Sequence, residues 1–589
     1  MIDAEVETAS ITLPGEPAIA VEYDVPCRMR DGTVLRADVY RPADGSGPWP
    51  VLLIRLPYDK TQAENLSYAH PSWYARHGYM VVSQDVRGRY GSDGEWYPFR
   101  HEADDGYDTI EWAAHLPGAN GKVGMYGFSY AGATQMLPAV QTPPSLAAMI
   151  PAMTGAQYYD GWTYTNGALN LAFVATWATD LAAGVARKHR DAAAIGELAA
   201  ALGAADGWFR WLPLNGFPPL NRENAPYFFD WLDHPTYDEY WRQWSVDENY
   251  DRVAAPGLHI AGWYDVFLDG TVKNFRGLRC GAANEAARAN QKLLIGPWFH
   301  MPWISLDEGE GEPAGHNEID EWQIAWFDRF LKDEPNDVLD APVTVYMMGE
   351  GRWRDFPDWP PPAAVPTAYY LHSAGRANSS SGDGALSLDA PGAEPIDVFT
   401  YDPFTPSPSI GGQSCCYPTI SPMGPADQTP AEQWNSLLSY TSAPLERDLD
   451  LVGHATVTLY AATSAPDTDW TARLCDVHPD GRSINLKAGI VRARFRDSLT
   501  DPTPIEPNRI YRYDIDLGPV GARVRAGHRL RLNVASSDFP QWDRNLNDGG
   551  PLYAEDITAA VVATQRVFHD AEHPSCVTLP VLPAAADAP

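Results

Sequence analysis

The sequence predicts an α/β fold with a mostly parallel sheet, interrupted by a helical insertion and followed by an all-β sandwich. Three observations indicate this order. Short apolar runs alternate with helical patterns up to about residue 150, a long Ala- and Leu-rich stretch follows, and two-residue alternation dominates the C-terminal part. The chain has 589 residues, 44% hydrophobic and 20% charged. This composition excludes a disordered or fibrous protein, and the length exceeds that of one compact domain.

The first elements are predicted to be a hairpin and a series of buried strands. Within residues 18–42, apolar stretches flank an Asp31-Gly32 pair, which favours the positive φ angles of a tight reversal. The segment 101–115 carries acids early and apolar residues at helical spacing, which predicts a helix. Apolar runs predict buried strands at residues 50–56, 79–84, 123–126 and 147–150.

The pattern changes after these strands. Residues 169–202 are rich in Ala and Leu and lack alternation, which indicates a helical insertion. The α/β pattern resumes with strands over 257–264 and 292–295 and a helix over 317–332. The predicted organisation is a first α/β part at 1–153, the insertion at 154–249, a second α/β part at 250–340 and a β-sandwich at 341–589.

Strands with a period of two are predicted in the C-terminal part. Apolar and polar residues alternate within 456–459, 511–517 and 529–534, as in half-buried antiparallel strands. The number of such runs implies a sandwich of roughly 200 residues or more. The Ser- and Gly-rich residues 373–384 are predicted to form a surface loop.

The charge balance excludes several classes of partner. Lys and Arg total 43 against 77 Asp and Glu, so the formal net charge is −34 and the pI is near 4.7. Such a surface repels phosphate backbones and anionic lipids, so we expect no nucleic-acid partner and no membrane partner. The same surface is compatible with a monomer or a homodimer.

The sequence also carries no signal for export or membrane insertion. The longest apolar run, residues 170–186, contains Asp180, and the acidic N-terminus lacks the apolar stretch of a signal peptide. Of the six cysteines only Cys415 and Cys416 are adjacent, which is neither a disulfide framework nor a C-x-x-C metal site. A reducing cytoplasm is the predicted location. Whether the adjacent pair lines an interface or is inert is left open.

The strongest local motif is a serine at a predicted strand-to-helix turn. Gly127-Phe128-Ser129-Tyr130-Ala131 directly follows an apolar strand. Such a turn, typical of α/β-hydrolases, exposes the serine hydroxyl and closes only when the residues two before and two after are small. The motif is G-x-S-x-A rather than G-x-S-x-G, and the steric requirement is still met. The alternative is a glycine-rich strand end with an incidental serine.

A serine hydroxyl needs a base, and the base needs a carboxylate to hold it. In this class of fold the acid and then the histidine follow the serine, each just past a later strand. Asp265 and His300 meet that requirement. Asp269 competes with Asp265 but is predicted to lie in the first turn of the next helix, and His259 is predicted to be a packed strand residue.

Acyl transfer also needs donors for a developing oxyanion. One is predicted to be the backbone N–H of Tyr130, directly after the nucleophile. The loop that usually supplies the second donor lacks an H-G-G-G run, so a side chain is favoured. Tyr58 has a suitable hydroxyl, although a tyrosine after a strand usually serves packing.

The sequence resembles the CocE/NonD (bacterial cocaine esterase-like) hydrolase family, whose members are relatives of X-prolyl dipeptidyl aminopeptidases and α-amino acid ester hydrolases. The likeness covers nearly the whole chain, and its motifs occur in the right order. They are RLPYDK (55–60), QDVRGRYGSDG (84–94), GFSYAG (127–132), GWYD (262–265), GPWFH (296–300), APVTVYMMGE (341–350) and APDTD (465–469).

The resemblance implies an α/β-hydrolase domain with an inserted helical cap and a C-terminal jelly roll. It implies Ser129 as nucleophile, Asp265 as acid and His300 as base. It also implies an oxyanion hole made of the Tyr58 hydroxyl and the Tyr130 N–H. Finally, it suggests that Phe267 lines the acyl pocket together with cap aromatics such as Trp162.

Substrate choice is less constrained. Amino acid ester hydrolases hold the substrate ammonium with carboxylates just after the catalytic acid, whereas Val266 and Phe267 follow Asp265 here. This favours a small neutral carboxylic ester as substrate, with an X-Pro dipeptide or an amide as the alternative. A catalytically silent binding protein is the hypothesis from another class.

No cofactor or metal is implied. The acidic string at residues 307–312 lacks the ligand spacing of a calcium loop and is interpreted as a solvated loop.

Overall fold

The computed structural model describes residues 7–45, 47–61, 68–300, 303, 306, 318–417, 420–421 and 423–583; the acidic string at 307–312 lies outside them. The helices are α1 (Pro71–Arg76), α2 (Glu102–Ala114), α3 (Tyr130–Ala139), α4 (Leu171–Lys188), α5 (Ala192–Gly203), α6 (Ala205–Trp208), α7 (Pro226–Asp233), α8 (Glu239–Arg242), α9 (Leu268–Gly281), α10 (Glu285–Ala289), α11 (Ile319–Leu331) and α12 (Thr429–Glu432).

The strands fall into two large sheets and one small hairpin. The first large sheet and the hairpin contain β1 (Glu7–Ile11), β2 (Ile19–Arg28), β3 (Val34–Pro42), β4 (Trp49–Leu56), β5 (Met80–Asp85), β6 (Ala119–Phe128), β7 (Leu146–Ala152), β8 (Tyr164–Thr165), β9 (Ala168–Leu169), β10 (Gly257–Tyr264), β11 (Gln291–Phe299), β12 (Val343–Met347) and β13 (Arg352–Phe356). The second large sheet contains β14 (Val365–His372), β15 (Ala385–Ser387), β16 (Asp397–Tyr401), β17 (Leu438–Ser442), β18 (Leu449–Thr463), β19 (Asp469–Val477), β20 (Ser483–Arg492), β21 (Tyr511–Val524), β22 (Arg529–Ala535), β23 (Ala563–Phe568) and β24 (Cys576–Leu582).

The first sheet has the order β1-β2-β3-β5-β4-β6-β7-β10-β11-β12-β13. From β5 through β12 every neighbouring pair is parallel, and antiparallel strands complete both edges. Strands β5 and β10 are buried along their whole length, which explains why their sequences are mainly apolar and show no polar alternation. The predicted mostly parallel α/β sheet is therefore confirmed, as is the hairpin of β2 and β3.

Helices cover both faces of this sheet. Helix α11 packs closely on β6, since a Cβ placed at Gly124 would lie 2.6 Å from a ring carbon of Phe327. The helix predicted over 101–115 is α2, and the helix predicted over 317–332 is α11, each with ends within two residues of the prediction.

A mainly helical segment separates β7 from β10. Helices α4 and α5 form the Ala- and Leu-rich part that was predicted to be helical. The two-residue strands β8 and β9 also lie in this segment and were not predicted. Because β7 and β10 are neighbours in the sheet, the insertion leaves and re-enters at adjacent strands.

The second sheet is antiparallel except for the pairing of β15 with β17. The apolar positions of the alternating runs are buried, among them Val457, Ile515 and Leu532. Residues 373–384 form a loop, as predicted. Among the described residues, no helix has the length and apolarity needed to cross a membrane.

Candidate active site

The serine of the G-x-S-x-A motif lies at the turn between β6 and α3. Ser129 has φ 62° and ψ −123°, a strained conformation for a residue with a side chain. A Cβ at Gly127 would lie 2.6 Å from the Cβ of Ala131, so neither position accepts a larger residue without movement. The Ser129 N–H donates to the carbonyl of Ala152 on β7, at 3.0 Å, which ties the turn to the sheet.

Ser129, His300 and Asp265 form a hydrogen-bonded chain. His300 Nε2 lies 2.9 Å from Ser129 Oγ, and His300 Nδ1 lies 2.6 Å from Asp265 Oδ1. Because a carboxylate only accepts, Nδ1 carries the ring proton and the Nε2 lone pair faces the serine hydroxyl. The three residues are 5%, 2% and 0% exposed, respectively.

The topology explains why these residues meet. Ser129, Asp265 and His300 follow the carboxyl ends of β6, β10 and β11, which are neighbours in the sheet except for the intervening β7. Ligand and reaction sites form at this edge of open α/β sheets.

The two competing residues have other roles. Asp269 lies in the first turn of α9, as predicted. His259 is fully buried, its Nε2 is 2.9 Å from Gln291 Oε1, and burial lowers its pKa to about 4. His259 is therefore a packed, neutral histidine.

Tyr58 follows β4 and faces the serine. Its hydroxyl oxygen accepts a hydrogen bond from Trp177 Nε1 at 3.0 Å. Burial raises the pKa of Tyr58 to about 12, while hydrogen bonds with Trp177 and Ser129 partly oppose the increase. The phenol is thus protonated at neutral pH. The hydrogen bond from Trp177 uses a lone pair of the oxygen, so the O–H remains available to donate to another group.

Tyr130 supplies a backbone donor and a buried anchor. It is the first residue of α3, where N–H groups have no partner within the helix. Its hydroxyl accepts from the Phe99 N–H at 2.8 Å and donates to Glu102 Oε1 at 3.0 Å. Glu102 in turn pairs with buried Arg55 at 2.8 Å. This network anchors the Tyr130 side chain, and with it the residue that follows Ser129.

Phe267 and Trp162 form an apolar wall beside the histidine. Their rings stack with centroids 4.1 Å apart, and Phe267 contacts the His300 ring edge-on at 5.0 Å. Both side chains are fully buried. The side chains packed beside His300 on this side are therefore aromatic rather than charged.

Residues from the C-terminal part of the chain, which forms the second sheet, contact Asp265. The sequence did not indicate this contact. Ser414 pairs with Asp265 through a backbone bridge, and Gln413 Nε2 donates to the Asp265 carbonyl at 3.3 Å. Burial lowers the pKa of Lys487 to about 8, although nearby carboxylates, Asp265 among them, oppose the decrease. No local motif marks these residues, because their proximity arises from folding alone.

The adjacent cysteines also lie in the site. Cys415 and Cys416 are joined by a disulfide, and each has a Sγ within 4.8 Å of a ring nitrogen of His300. Cys415 is fully buried and Cys416 half-buried, in the apolar cluster that contains Phe267. The only signal in the sequence was that two cysteines are neighbours.

Family models cover most of the chain. Residues 31–302 match the model of the X-Pro dipeptidyl-peptidase (S15 family). Residues 336–578 match the model of the X-Pro dipeptidyl-peptidase C-terminal non-catalytic domain.

Individual relatives agree with these matches. Cocaine esterase from Rhodococcus sp. (strain MB1 Bresler) is 37% identical over 582 residues, covering 96% of this chain and 99% of the relative. An α-amino acid ester hydrolase structure has a TM-score of 0.79 at 24% identity, covering 97% of this chain and 98% of that one. An aminopeptidase structure from a marine sediment Thaumarchaeota archaeon has a TM-score of 0.79 at 24% identity, covering 99% of each chain. The two structural likenesses establish a shared fold.

Proposed function

This chain belongs to the cocaine esterase-like hydrolases of the X-Pro dipeptidyl-peptidase S15 family, and we propose that it cleaves carboxylic esters through an acyl-enzyme on Ser129. The observation that carries the proposal is the hydrogen-bonded chain from Asp265 through His300 to Ser129. A silent binding protein has no need of a strained serine facing a carboxylate-held histidine. The chemistry implied is that of a serine hydrolase.

The first half of the reaction forms the acyl-enzyme. Ser129 Oγ attacks the ester carbonyl carbon while His300 Nε2 takes the serine proton. The negative oxygen of the tetrahedral intermediate accepts hydrogen bonds from the Tyr58 hydroxyl and the Tyr130 N–H. The intermediate collapses when the C–O bond to the alcohol breaks and His300 returns the proton to the leaving oxygen.

The second half repeats these steps with water. His300 takes a proton from water, the hydroxide attacks the acyl carbon, and the Ser129 oxygen leaves with the proton from His300. Asp265 stabilises the imidazolium and keeps Nδ1 protonated throughout.

The apolar wall favours a neutral acyl group. Phe267 and Trp162 offer aromatic contact next to His300, and Val266 is apolar as well. A free ammonium placed against these three side chains would lose its hydration, and none of them offers a carboxylate to replace it. An ester with an apolar or aromatic acyl group is therefore the proposed substrate class, and no cofactor takes part.

The division of the chain into domains is also part of this proposal. We assign the α/β-hydrolase domain to residues 1–153 and 250–340, the helical cap to 154–249 and a jelly roll to 341–589, of which the first two strands, β12 and β13, pair with the edge of the first sheet. The antiparallel pairing of the second sheet supports the last assignment.

Matched substrates test the reaction class. An aryl ester and an Xaa-Pro anilide are compared by kcat/KM, with Ser129→Ala as the control. We expect faster turnover of the ester and loss of both activities in the variant. Anilide cleavage at or above the ester rate would favour the dipeptidyl-peptidase alternative, which the S15 family match suggests.

A further inference from the structure

Residues 413–416, from the C-terminal part of the chain that forms the second sheet, make up one wall of the active site. The backbone of Ser414 pairs with that of Asp265, and Gln413 donates to the Asp265 carbonyl. The next two residues, Cys415 and Cys416, are thereby held beside His300. None of the catalytic steps described above uses their sulfur atoms.

We propose that Cys415 and Cys416, when reduced, form with His300 a binding site for a thiophilic divalent cation such as Zn²⁺ or Cd²⁺, which blocks hydrolysis. The inhibitory part of this proposal rests on the function proposed above, because it needs His300 to be the base. The disulfide form of the pair does not bind the ion.

The ligand set has the chemistry that such ions prefer. Two thiolates and one imidazole, with the fourth position open, are a known zinc arrangement. One ligand atom from each of the three residues lies within 4.8 Å of the other two. In the disulfide the two Sγ atoms are bonded to each other, so reduction must let them separate to the about 3.5–3.8 Å at which ligand atoms lie around a tetrahedral ion with Zn–S of 2.3 Å.

The surroundings of His300 also suit a metal ligand. Histidines that bind metals usually donate their second ring N–H to a carboxylate, which fixes the tautomer. His300 Nδ1 is already held in this way by Asp265 at 2.6 Å. The ligand atom is therefore Nε2, the same atom that contacts Ser129 Oγ.

Inhibition follows from this shared atom. A metal on Nε2 occupies the lone pair that takes the serine proton, so Ser129 is no longer activated. Occupancy of the site and ester hydrolysis are thus mutually exclusive.

Reduction of the disulfide creates the two thiolate ligands, and oxidation removes them. A thiol reductant attacks the Cys415–Cys416 disulfide and, with a second equivalent, yields two protein thiols and one reductant disulfide. Binding of the divalent ion then releases the two thiol protons. Oxidation of the pair by a disulfide of the same class reverses the first step and removes the site.

Cd²⁺ is the probe, because its thiolate complexes absorb in the ultraviolet. The full chain is reduced with a phosphine, titrated with Cd²⁺ and followed by absorbance, ester hydrolysis and fluorophosphonate labelling of Ser129. We expect one Cd²⁺ per chain at this site, at least a tenfold loss of hydrolysis and of labelling, and recovery with a chelator. Enzyme with the disulfide intact is expected to show neither the band nor the loss.

Variants identify the ligands. Cys416→Ser is expected to lose the band and to be insensitive to Cd²⁺ relative to its own metal-free rate. Cys280→Ser, which removes an exposed free thiol, is expected to behave as wild type. Removing only the hydrogen-bond partner of a metal ligand lowers metal affinity about 10- to 100-fold. His300→Gln removes the ligand itself, so we expect it to weaken Cd²⁺ binding at least tenfold.

The outcomes separate the two proposals. Absence of the band in reduced wild type, or a band that leaves labelling of Ser129 intact, would overturn the metal site. A band that requires Cys416 in a folded chain that never reacts with the fluorophosphonate would support the metal site and overturn the proposed function.

Discussion

The Tyr58 hydroxyl shows how one atom's neighbours decide its chemistry. Its oxygen accepts from Trp177, which lies on α4 in the helical insertion, while Tyr58 itself follows β4 of the sheet. Burial keeps the phenol protonated, so its O–H is available as a donor. The insertion therefore helps to orient the hydroxyl that we propose as an oxyanion donor.

Replacing this hydroxyl is the first prediction. Tyr58→Phe keeps the ring and removes one oxyanion donor, which costs about 10²- to 10³-fold in kcat. Steady-state kinetics on an aryl ester and thermal unfolding measure the two effects. Tyr158→Phe is the matched control, because Tyr158 is a buried tyrosine whose hydroxyl has no hydrogen-bond partner in the described structure. Turnover of Tyr58→Phe near that of the control would remove Tyr58 from the oxyanion hole.

The turn between β6 and α3 depends on two small residues. Gly127 has φ 135°, and its Cα faces the Cβ of Ala131 across the turn. This contact fixes where the Ser129 side chain points. The requirement is steric, which is why alanine serves at the second position.

Enlarging Gly127 is the second prediction. In Gly127→Ala the new Cβ would overlap Ala131, and we expect a loss of about 1–3 kcal/mol of stability. We also expect a loss of roughly 10²-fold in kcat, because about 1 Å of misplacement has that effect. Gly121→Ala on the same strand is the control, since φ is also positive there but no atom lies within 4 Å. Equal kcat losses in both variants would contradict the steric explanation.

Elements with one clear periodicity could be predicted closely from the sequence. Mainly apolar runs without polar alternation predicted β4, β5, β10 and β11, since parallel strands covered on both faces have no solvent-facing side. Strands β8 and β9 were missed because two residues carry no period.

The site divides in the same way. Ser129, Asp265 and His300 each follow a recognisable strand, so their order and spacing sufficed to group them. Trp177 and the residues 413–416 could not be predicted, because they reach the site from distant parts of the chain. Only tertiary packing brings them there.

A buried ion network joins the helical insertion to the second sheet. Arg492 contacts Asp469 and Asp543, each at 2.9 Å, and all three are buried. Asp543 Oδ1 also accepts the N–H of Leu169 from the insertion at 2.7 Å. Arg492 thereby holds the Asp543 side chain in place, and Asp543 in turn anchors Leu169 of the insertion.

Removing Arg492 is the third prediction. Arg492→Ala leaves two carboxylates buried without a counter-charge, which costs about 3–5 kcal/mol. We expect the melting temperature to fall by about 2–4 °C, as measured by calorimetry. The control is Arg512→Ala, which breaks an exposed pair with Asp514, and such pairs contribute about 0–1 kcal/mol. A similar small change in both variants would contradict the importance of the network.

The central claim is that Ser129 is an activated nucleophile, and a fluorophosphonate probe tests it most directly. Intact mass and peptide mapping are done on wild type, Ser129→Ala and His300→Gln. We predict a single adduct on Ser129 in wild type, none in Ser129→Ala and much slower labelling in His300→Gln. A folded wild-type chain that takes no adduct, or takes it at another residue, would contradict the account.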